Sequence, residues 1–372
     1  MVRRCLPLLL FCLVFYFTKA QNTKLFLVAG QSNAVGVGNA DSSGIYSDPL
    51  CFEYKTTDDQ LHILKDPVGY NTATEDFQAA VTGSAWPAFA YSYHHLTGDS
   101  VIIVQAAKGA TACHPAADAG AGNWSDSYHL FSQAIAKARA AETFTGIPLS
   151  GIIWLQGESD AIAIQQDKIT QCQYESAFQD LIQRFRNSLR CDLPFYIIQT
   201  GLYLTVSDTG FWQVRNMQKL VDDKDPLAFV VDSTTYRFRS AGLMRSDSIH
   251  YCQSALNEMG ISVAENIIDI ERHVKLDTCY TAPAQPVSPE WAVFPSPFKD
   301  ELTIEVLNFS CADMDIKIVD MLGRICLKTT QSCMDAAPLR AHLNTTGLAK
   351  GVYVVRVTLN KQWTLKQKLV KD

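Results

Sequence analysis

The sequence predicts an α/β chain: a three-layer, doubly wound parallel sheet followed by a small C-terminal all-β sandwich module. Three observations carry this. First, five short runs are almost continuously apolar: Leu25–Ala29, Val101–Gln105, Gly151–Gln156, Phe195–Gln199 and Leu227–Asp232. Runs of that length suit parallel strands covered on both faces. Second, the stretches between them repeat apolar residues at helical spacing, and strands alternating with helices imply βαβ units. Third, the pattern stops near Tyr280, beyond which apolar and polar residues alternate singly between turn residues.

At the N-terminus, Arg3 and Arg4 precede an apolar stretch, Leu6 to Phe17, that closes on Thr18-Lys19-Ala20. Residues 1–20 therefore read as a secretory signal peptide cleaved after Ala20. That run is too short for a comfortable bilayer span, and no other stretch is longer, so the mature chain is expected to carry no transmembrane segment. Removing these twenty residues, with three basic and no acidic side chains, takes the formal charge from −6 to −9. An acidic chain without a basic run is not built for nucleic acid. Of eleven cysteines, Cys5 and Cys12 leave with the signal peptide. The nine that remain form no C-x-x-C pair, so no structural zinc site is expected. Their odd number leaves at least one thiol free or paired with another chain.

Residues 21–280 are expected to form the α/β domain. Ala85–Leu96 reads as a helix; its adjacent His94 and His95 point to different faces, so metal ligation is not expected there. Ser127–Ala141 and Ser254–Ile270 read as helices as well. Tyr174–Arg190 is the clearest, with Phe178, Leu181, Ile182, Phe185 and Leu189 on one face. Segment 281–293 contains Pro283, Pro286 and Pro289 and reads as an extended linker. Residues 294–372 hold the alternating runs Leu302/Ile304/Val306, Ile316/Ile318 and Val352/Val354. Turns are marked by Gly323, Asn344, Gly347 and Gly351, which implies a small β module.

Four blocks carry chemistry. Gly30-Gln31-Ser32-Asn33 follows the first strand run, where open α/β sheets place their ligands. Ala107-Lys108-Gly109-Ala110-Thr111 follows the second run, and Trp154-Leu155-Gln156-Gly157-Glu158-Ser159-Asp160 closes the third. Asp247-Ser248-Ile249-His250 precedes the last large helix. A nucleophilic serine needs a base, a group to orient that base and donors for the developing oxyanion. Ser32 is the candidate nucleophile and His250 the base. Asp247, one turn earlier, can hold the ring. The backbone N–H groups of Ser32 and Gly109 and the Gln156 side-chain amide are candidate oxyanion donors.

These blocks resemble those of the SGNH hydrolase superfamily. Within it they resemble the sialate O-acetylesterase-like family, or carbohydrate esterase family six. The G-Q-S-N start and the W-x-Q-G-E-S-D block carry the resemblance, which covers Lys24 to Ile270. It implies a flavodoxin-like sheet, Ser32 as nucleophile, His250 as base, Asp247 as its partner, and Gly109 and Gln156 as oxyanion donors. Some relatives use the glutamate of the third block as the acid, which keeps Glu158 open as an alternative to Asp247. No cofactor and no metal is implied.

The C-terminal module has its own resemblance. Phe294-Pro295-Ser296-Pro297-Phe298, Asp320-Met321-Leu322-Gly323-Arg324 and Leu348-Ala349-Lys350-Gly351-Val352-Tyr353 are similar to a type IX secretion C-terminal sorting domain of Bacteroidetes. This implies the type IX secretion machinery as a partner and a secreted or cell-surface location.

The expected activity is hydrolysis of O-acetyl esters on carbohydrate through an acetyl-serine intermediate, with O-acetylated sialic acid as substrate. An acetylxylan or other plant-polysaccharide acetylesterase is the first alternative. A non-catalytic glycan-binding surface protein is the second. A lipase or thioesterase on the same scaffold would instead prefer longer acyl chains.

Overall fold

A computed structural model describes residues 22–69, 75–203, 207–274, 276, 290–307, 313–331, 339–359 and 363–372. The expected signal peptide and residues 281–289 of the expected linker lie outside the described residues. In chain order the first part comprises β1 (Thr23–Gly30), α1 (Ser32–Val35), α2 (Ala40–Ser43), β2 (Cys51–Lys55), β3 (Gln60–Ile63) and α3 (Trp86–Thr97). It continues with β4 (Ser100–Ala107), α4 (Leu130–Thr145), β5 (Gly151–Leu155), α5 (Glu158–Gln165) and α6 (Gln171–Ser188). It ends with β6 (Phe195–Ile198), α7 (Thr209–Lys224), β7 (Ala228–Asp232) and α8 (Gln253–His273).

The seven strands form one sheet in the order β3-β2-β4-β1-β5-β6-β7, parallel throughout except for the β2–β3 hairpin. Successive side chains of a strand face opposite ways, and β1 divides its residues accordingly. Leu25, Leu27 and Ala29 pack with α4, α6 and α7, whereas Phe26 and Val28 pack with α3 and α8. All five are fully buried, and each large side chain among them contributes roughly 1.5–3 kcal/mol through its removal from water. At Gly260 of α8 an added Cβ would lie 2.4 Å from the Ala85 carbonyl oxygen, so glycine lets α8 press onto the start of α3.

The sequence reading located five of these strands and missed β2, β3 and α7. Glu53 interrupts the apolar run of β2; it is buried because its carboxylate accepts the Gly69 N–H at 2.6 Å. β3 is an edge strand with little apolar surface to announce it. α7 does carry a helical pattern in Phe211, Val214, Met217 and Val221, all buried.

The C-terminal part holds β8 (Trp291–Phe294), β9 (Glu301–Val306), β10 (Met314–Asp320), β11 (Ile325–Gln331), β12 (Leu339–Asn344), β13 (Gly351–Leu359) and β14 (Trp363–Lys371). A four-stranded sheet, β11-β10-β13-β14, faces a three-stranded one, β12-β9-β8, and both are antiparallel. Leu302, Ile304 and Val306 meet Ile316, Ile318, Val355 and Val357 in one core. The first strand starts at Trp291, three residues ahead of the expected boundary at 294. Among the described residues no helix is long and apolar enough to cross a membrane.

Candidate active site

β1 lies between β4 and β5, and the chain visits β4 before it crosses to β5. The carboxyl ends of β1 and β5 therefore flank a topological switch point, where open α/β sheets open a crevice. Gly30 ends β1 there with φ +138°, and an added Cβ would sit 2.0 Å from the Leu155 carbonyl oxygen. Gln31 then donates its N–H to that carbonyl at 2.9 Å. Its buried side-chain oxygen accepts the N–H groups of Gly157 at 3.2 Å and Ser159 at 3.4 Å. The backbone and side chain of Gln31 thus lock the first sequence block to the third.

Ser32 opens α1 immediately afterwards. As the first helical residue it has no intrahelical acceptor for its N–H, and none is present among the described residues. Its hydroxyl lies 2.8 Å from His250 Nε2, and His250 Nδ1 lies 3.0 Å from Asp247 Oδ2. The loop that presents His250 is tight. Arg245 N–H donates to the His250 carbonyl at 2.8 Å, Met244 and Tyr251 form a β-bridge, and Ser248 takes φ +67°. Asp247 Oδ1 also accepts the N–H groups of His250 at 3.0 Å and Ile249 at 3.2 Å. Partial burial alone would raise the Asp247 carboxyl; these N–H donors and the His250 ring more than offset it and hold the group below its ordinary value.

Glu158 stands elsewhere. It is 2 % exposed, and its Oε1 accepts from Asn33 Nδ2 at 2.8 Å. The same Asn33 amide donates to the Ile249 carbonyl at 3.3 Å, and Asn33 Oδ1 accepts the Tyr251 N–H at 3.3 Å. Burial raises the Glu158 carboxyl, against the opposing Asn33 hydrogen bond and the nearby His250. Glu158 therefore reaches the histidine loop through Asn33, whereas Asp247 touches the histidine itself.

The two candidate oxyanion donors differ. Gly109 is beside the serine: a Cβ there would lie 3.6 Å from Ser32 Cβ. Its N–H, however, donates to the side-chain oxygen of exposed Gln78 at 2.8 Å. Gln156 is fully buried, and its amide donates to the Thr111 carbonyl at 3.2 Å and to Asp160 Oδ2 at 2.5 Å. Both amide hydrogens are committed, so the geometry does not turn Gln156 toward Ser32. The physical reason is Asp160, a buried carboxylate in need of donors. Asp160 also accepts the N–H groups of Cys113 at 2.8 Å and His114 at 2.9 Å, yet burial pushes its carboxyl up to about 6.

The family described as carbohydrate esterase, sialic acid-specific acetylesterase matches residues 22–269. The chain belongs to this family. The esterase is followed by a match to the secretion system C-terminal sorting domain over residues 292–372, which marks it for export to the cell surface or the medium by the type IX route. An Arabidopsis thaliana protein of known structure is 20 % identical, with a TM-score of 0.52 over 67 % of this chain and 98 % of its own; it shares the fold. A carbohydrate acetylesterase from Xanthomonas citri is 16 % identical, with a TM-score of 0.42 over 94 % of this chain and 79 % of its own. No curated protein matches the chain.

In the esterase, the hydrogen-bonded series Asp247–His250–Ser32 is arranged to move a proton from a hydroxyl to an imidazole beside a carboxylate that stays ionised. Two contributors escaped the sequence reading. Asn33 lay inside the G-Q-S-N block but was not given a part. Gln78 sits in a polar loop with no local signal, and only the fold brings it to Gly109. Among the described residues, Cys172 and Cys191 are each disulfide-bonded, while Cys51, Cys113, Cys252 and Cys326 are free.

Proposed function

We propose that the esterase removes O-acetyl groups from carbohydrate with Ser32 as nucleophile, His250 as general base and Asp247 as the group that orients it. The observation that carries this is the pair of hydrogen bonds joining the three side chains, at 2.8 and 3.0 Å. In the first step Ser32 Oγ attacks the acetyl carbonyl carbon while His250 Nε2 takes the hydroxyl proton. The carbonyl electrons collect on its oxygen, facing the N–H groups of Ser32 and Gly109. Collapse expels the sugar alkoxide, which receives the proton from His250 and leaves as an alcohol. Water, deprotonated by His250, then attacks the acetyl-serine and releases acetate. Gly109 can donate only after the Gln78 side chain moves away, and Gln156 supports the site from behind through Asp160. Glu158 acts through Asn33 on the loop rather than as the triad acid.

The preferred substrate class in this proposal is an O-acetylated sialic acid, in keeping with the family; an acetylated plant polysaccharide is the second reading. We also propose that residues 1–20 are removed and that a linker from 281, ending before Trp291, joins an esterase domain over 21–280 to the sorting domain. The functional reading is tested by acetate release from acetylated sialic acids, xylan and pectin, with Ser32→Ala as control. Release from sialic acids that disappears in the variant is the expected result. Undiminished release by Ser32→Ala would refute the serine mechanism, and release from xylan alone would move the substrate to the second reading.

A further inference from the structure

At the opposite end of the sheet from Ser32 lies a group of side chains with no part in the chemistry above. Asp48 precedes β2, and His94 and His95 lie in the last turn of α3. His94 Nε2 is 3.9 Å from Asp48 Oδ1, and His95 Nε2 is 4.0 Å from Asp48 Oδ2. One ligand atom from each of the three residues falls within 4.8 Å of the others. The expectation that neighbouring helical histidines must diverge is not met here, because both rings turn their Nε2 atoms toward Asp48.

The hydrogen bonding fixes which ring nitrogens face that point. His94 Nδ1 lies 2.9 Å from the Asp99 carbonyl and His95 Nδ1 2.9 Å from the Tyr91 carbonyl. A carbonyl only accepts, so each Nδ1 carries the hydrogen, and Nε2 is the nitrogen that each ring turns toward Asp48, bare whenever the ring is neutral. The distances to Asp48 are too long for hydrogen bonds. With both rings neutral, two lone pairs and a carboxylate converge on one point. Nδ1–H donated to a backbone carbonyl is also how metal-bound histidines are oriented.

The surroundings are pre-set in the same sense. Asp48 Oδ1 accepts the Leu50 N–H at 2.8 Å. The His95 ring stacks on Tyr91 at 3.9 Å between centroids, and Tyr91 packs edge-on against Tyr46 at 5.6 Å, which pins the segment carrying Asp48 to α3. The C-terminal end of a helix carries partial negative charge, which favours a cation.

We propose that Asp48, His94 and His95 form a binding site for one divalent transition-metal ion of the Zn2+ type, completed by water on the exposed His95 side. Imidazole and carboxylate ligands suit such an ion. With bonds of about 2.0–2.1 Å, a tetrahedral zinc sets its ligands about 3.3–3.4 Å apart, so the two edges to Asp48, at 3.9 and 4.0 Å, close by roughly half an ångström on binding. The ion would tie the C-terminal end of α3 to the chain entering β2. It would have no part in ester hydrolysis. Thr23 pairs with Ser100 at this end of the sheet and Gly30 with Ala107 at the other, and eight strand residues span about 23 Å.

The test uses the mature full-length chain without a histidine tag, titrated with Zn2+ by calorimetry and by equilibrium dialysis. One ion per chain is expected. Loss of an outer partner weakens metal sites roughly 10–100-fold, so His94→Gln, His95→Gln and Asp48→Asn should each weaken binding by at least about tenfold. Saturating Zn2+ should raise the Tm of the wild type by more than that of any variant, while acetate release is unchanged by Zn2+ or EDTA. A wild-type measurement guards against variants that do not fold. Zn2+ should protect His94 and His95, but not His62 or His273, from modification by diethyl pyrocarbonate, read by mass spectrometry. Absence of stoichiometric binding, protection no greater than that of His62, or full affinity in Asp48→Asn would each overturn the three-ligand site.

Discussion

The side-chain oxygen of Gln78 accepts the backbone N–H of Gly109 at 2.8 Å, and Gly109 lies beside Ser32. An exposed, flexible amide thus occupies a donor that the proposed oxyanion needs. One neutral hydrogen bond is worth about 0.5–1.5 kcal/mol net, so Gln78→Ala should raise kcat/KM roughly two- to tenfold. Gly109→Ala should act in the opposite sense, because its Cβ would meet Gln78 Oε1 at 3.0 Å and crowd Ser32. Steady-state kinetics on an acetyl ester read both; an unchanged kcat/KM in Gln78→Ala would remove Gly109 from the oxyanion hole.

The two carboxylates are separable by kinetics. Asp247→Ala should lower kcat by about 10³–10⁴, the scale seen when a triad acid is lost. Glu158→Gln keeps an acceptor for Asn33 Nδ2 and should lower kcat less than about tenfold. The reverse order would make Glu158 the acid.

Asn33 is the point where the nucleophile turn, Glu158 and the histidine loop meet. Asn33→Ala removes the Asn33 donor from the buried Glu158 carboxyl, a loss of about 1–3 kcal/mol in stability. It also frees the loop that aims His250. Denaturant melts should show the first effect, and a fall in kcat with little change in KM the second.

Asp160 gives a pH signature in stability rather than in catalysis. Its folded carboxyl is raised to about 6, above an unfolded value near 3.9. Between those values the native state holds more protons than the unfolded one, so this group's contribution falls as pH rises from about 4 to about 6. The shift corresponds to a change of about 3 kcal/mol. Asp160→Asn lacks this slope. Its stability deficit relative to wild type should therefore shrink across that window in urea melts; a deficit constant from pH 4 to 7 would contradict the raised value.

The apolar strand runs and the order of the four blocks were legible because fully buried parallel strands and strand-end serines leave local marks in the sequence. β2 and β3 left weaker marks, since the buried Glu53 breaks the apolar run of β2 and the edge strand β3 needs only half of its surface apolar. The Ser32–His250 approach was legible from residue type and order. The fates of Gln156, Gln78 and Asn33 were not, because they depend on which buried carboxylate or free N–H the fold places next to each amide. His94 and His95 illustrate the same limit: helical phase separates them, whereas ring length and the loop carrying Asp48 bring their nitrogens together.

Ser32 and His250 are 218 positions apart in the chain, and that separation has a biosynthetic consequence. The serine leaves the ribosome with the first strand, long before its base exists. On the mechanism proposed above, no segment short of the histidine loop can hydrolyse an ester. On that mechanism, turnover is a report on a finished fold: a chain truncated before the histidine loop stays silent, and each active molecule counts as one completed esterase domain.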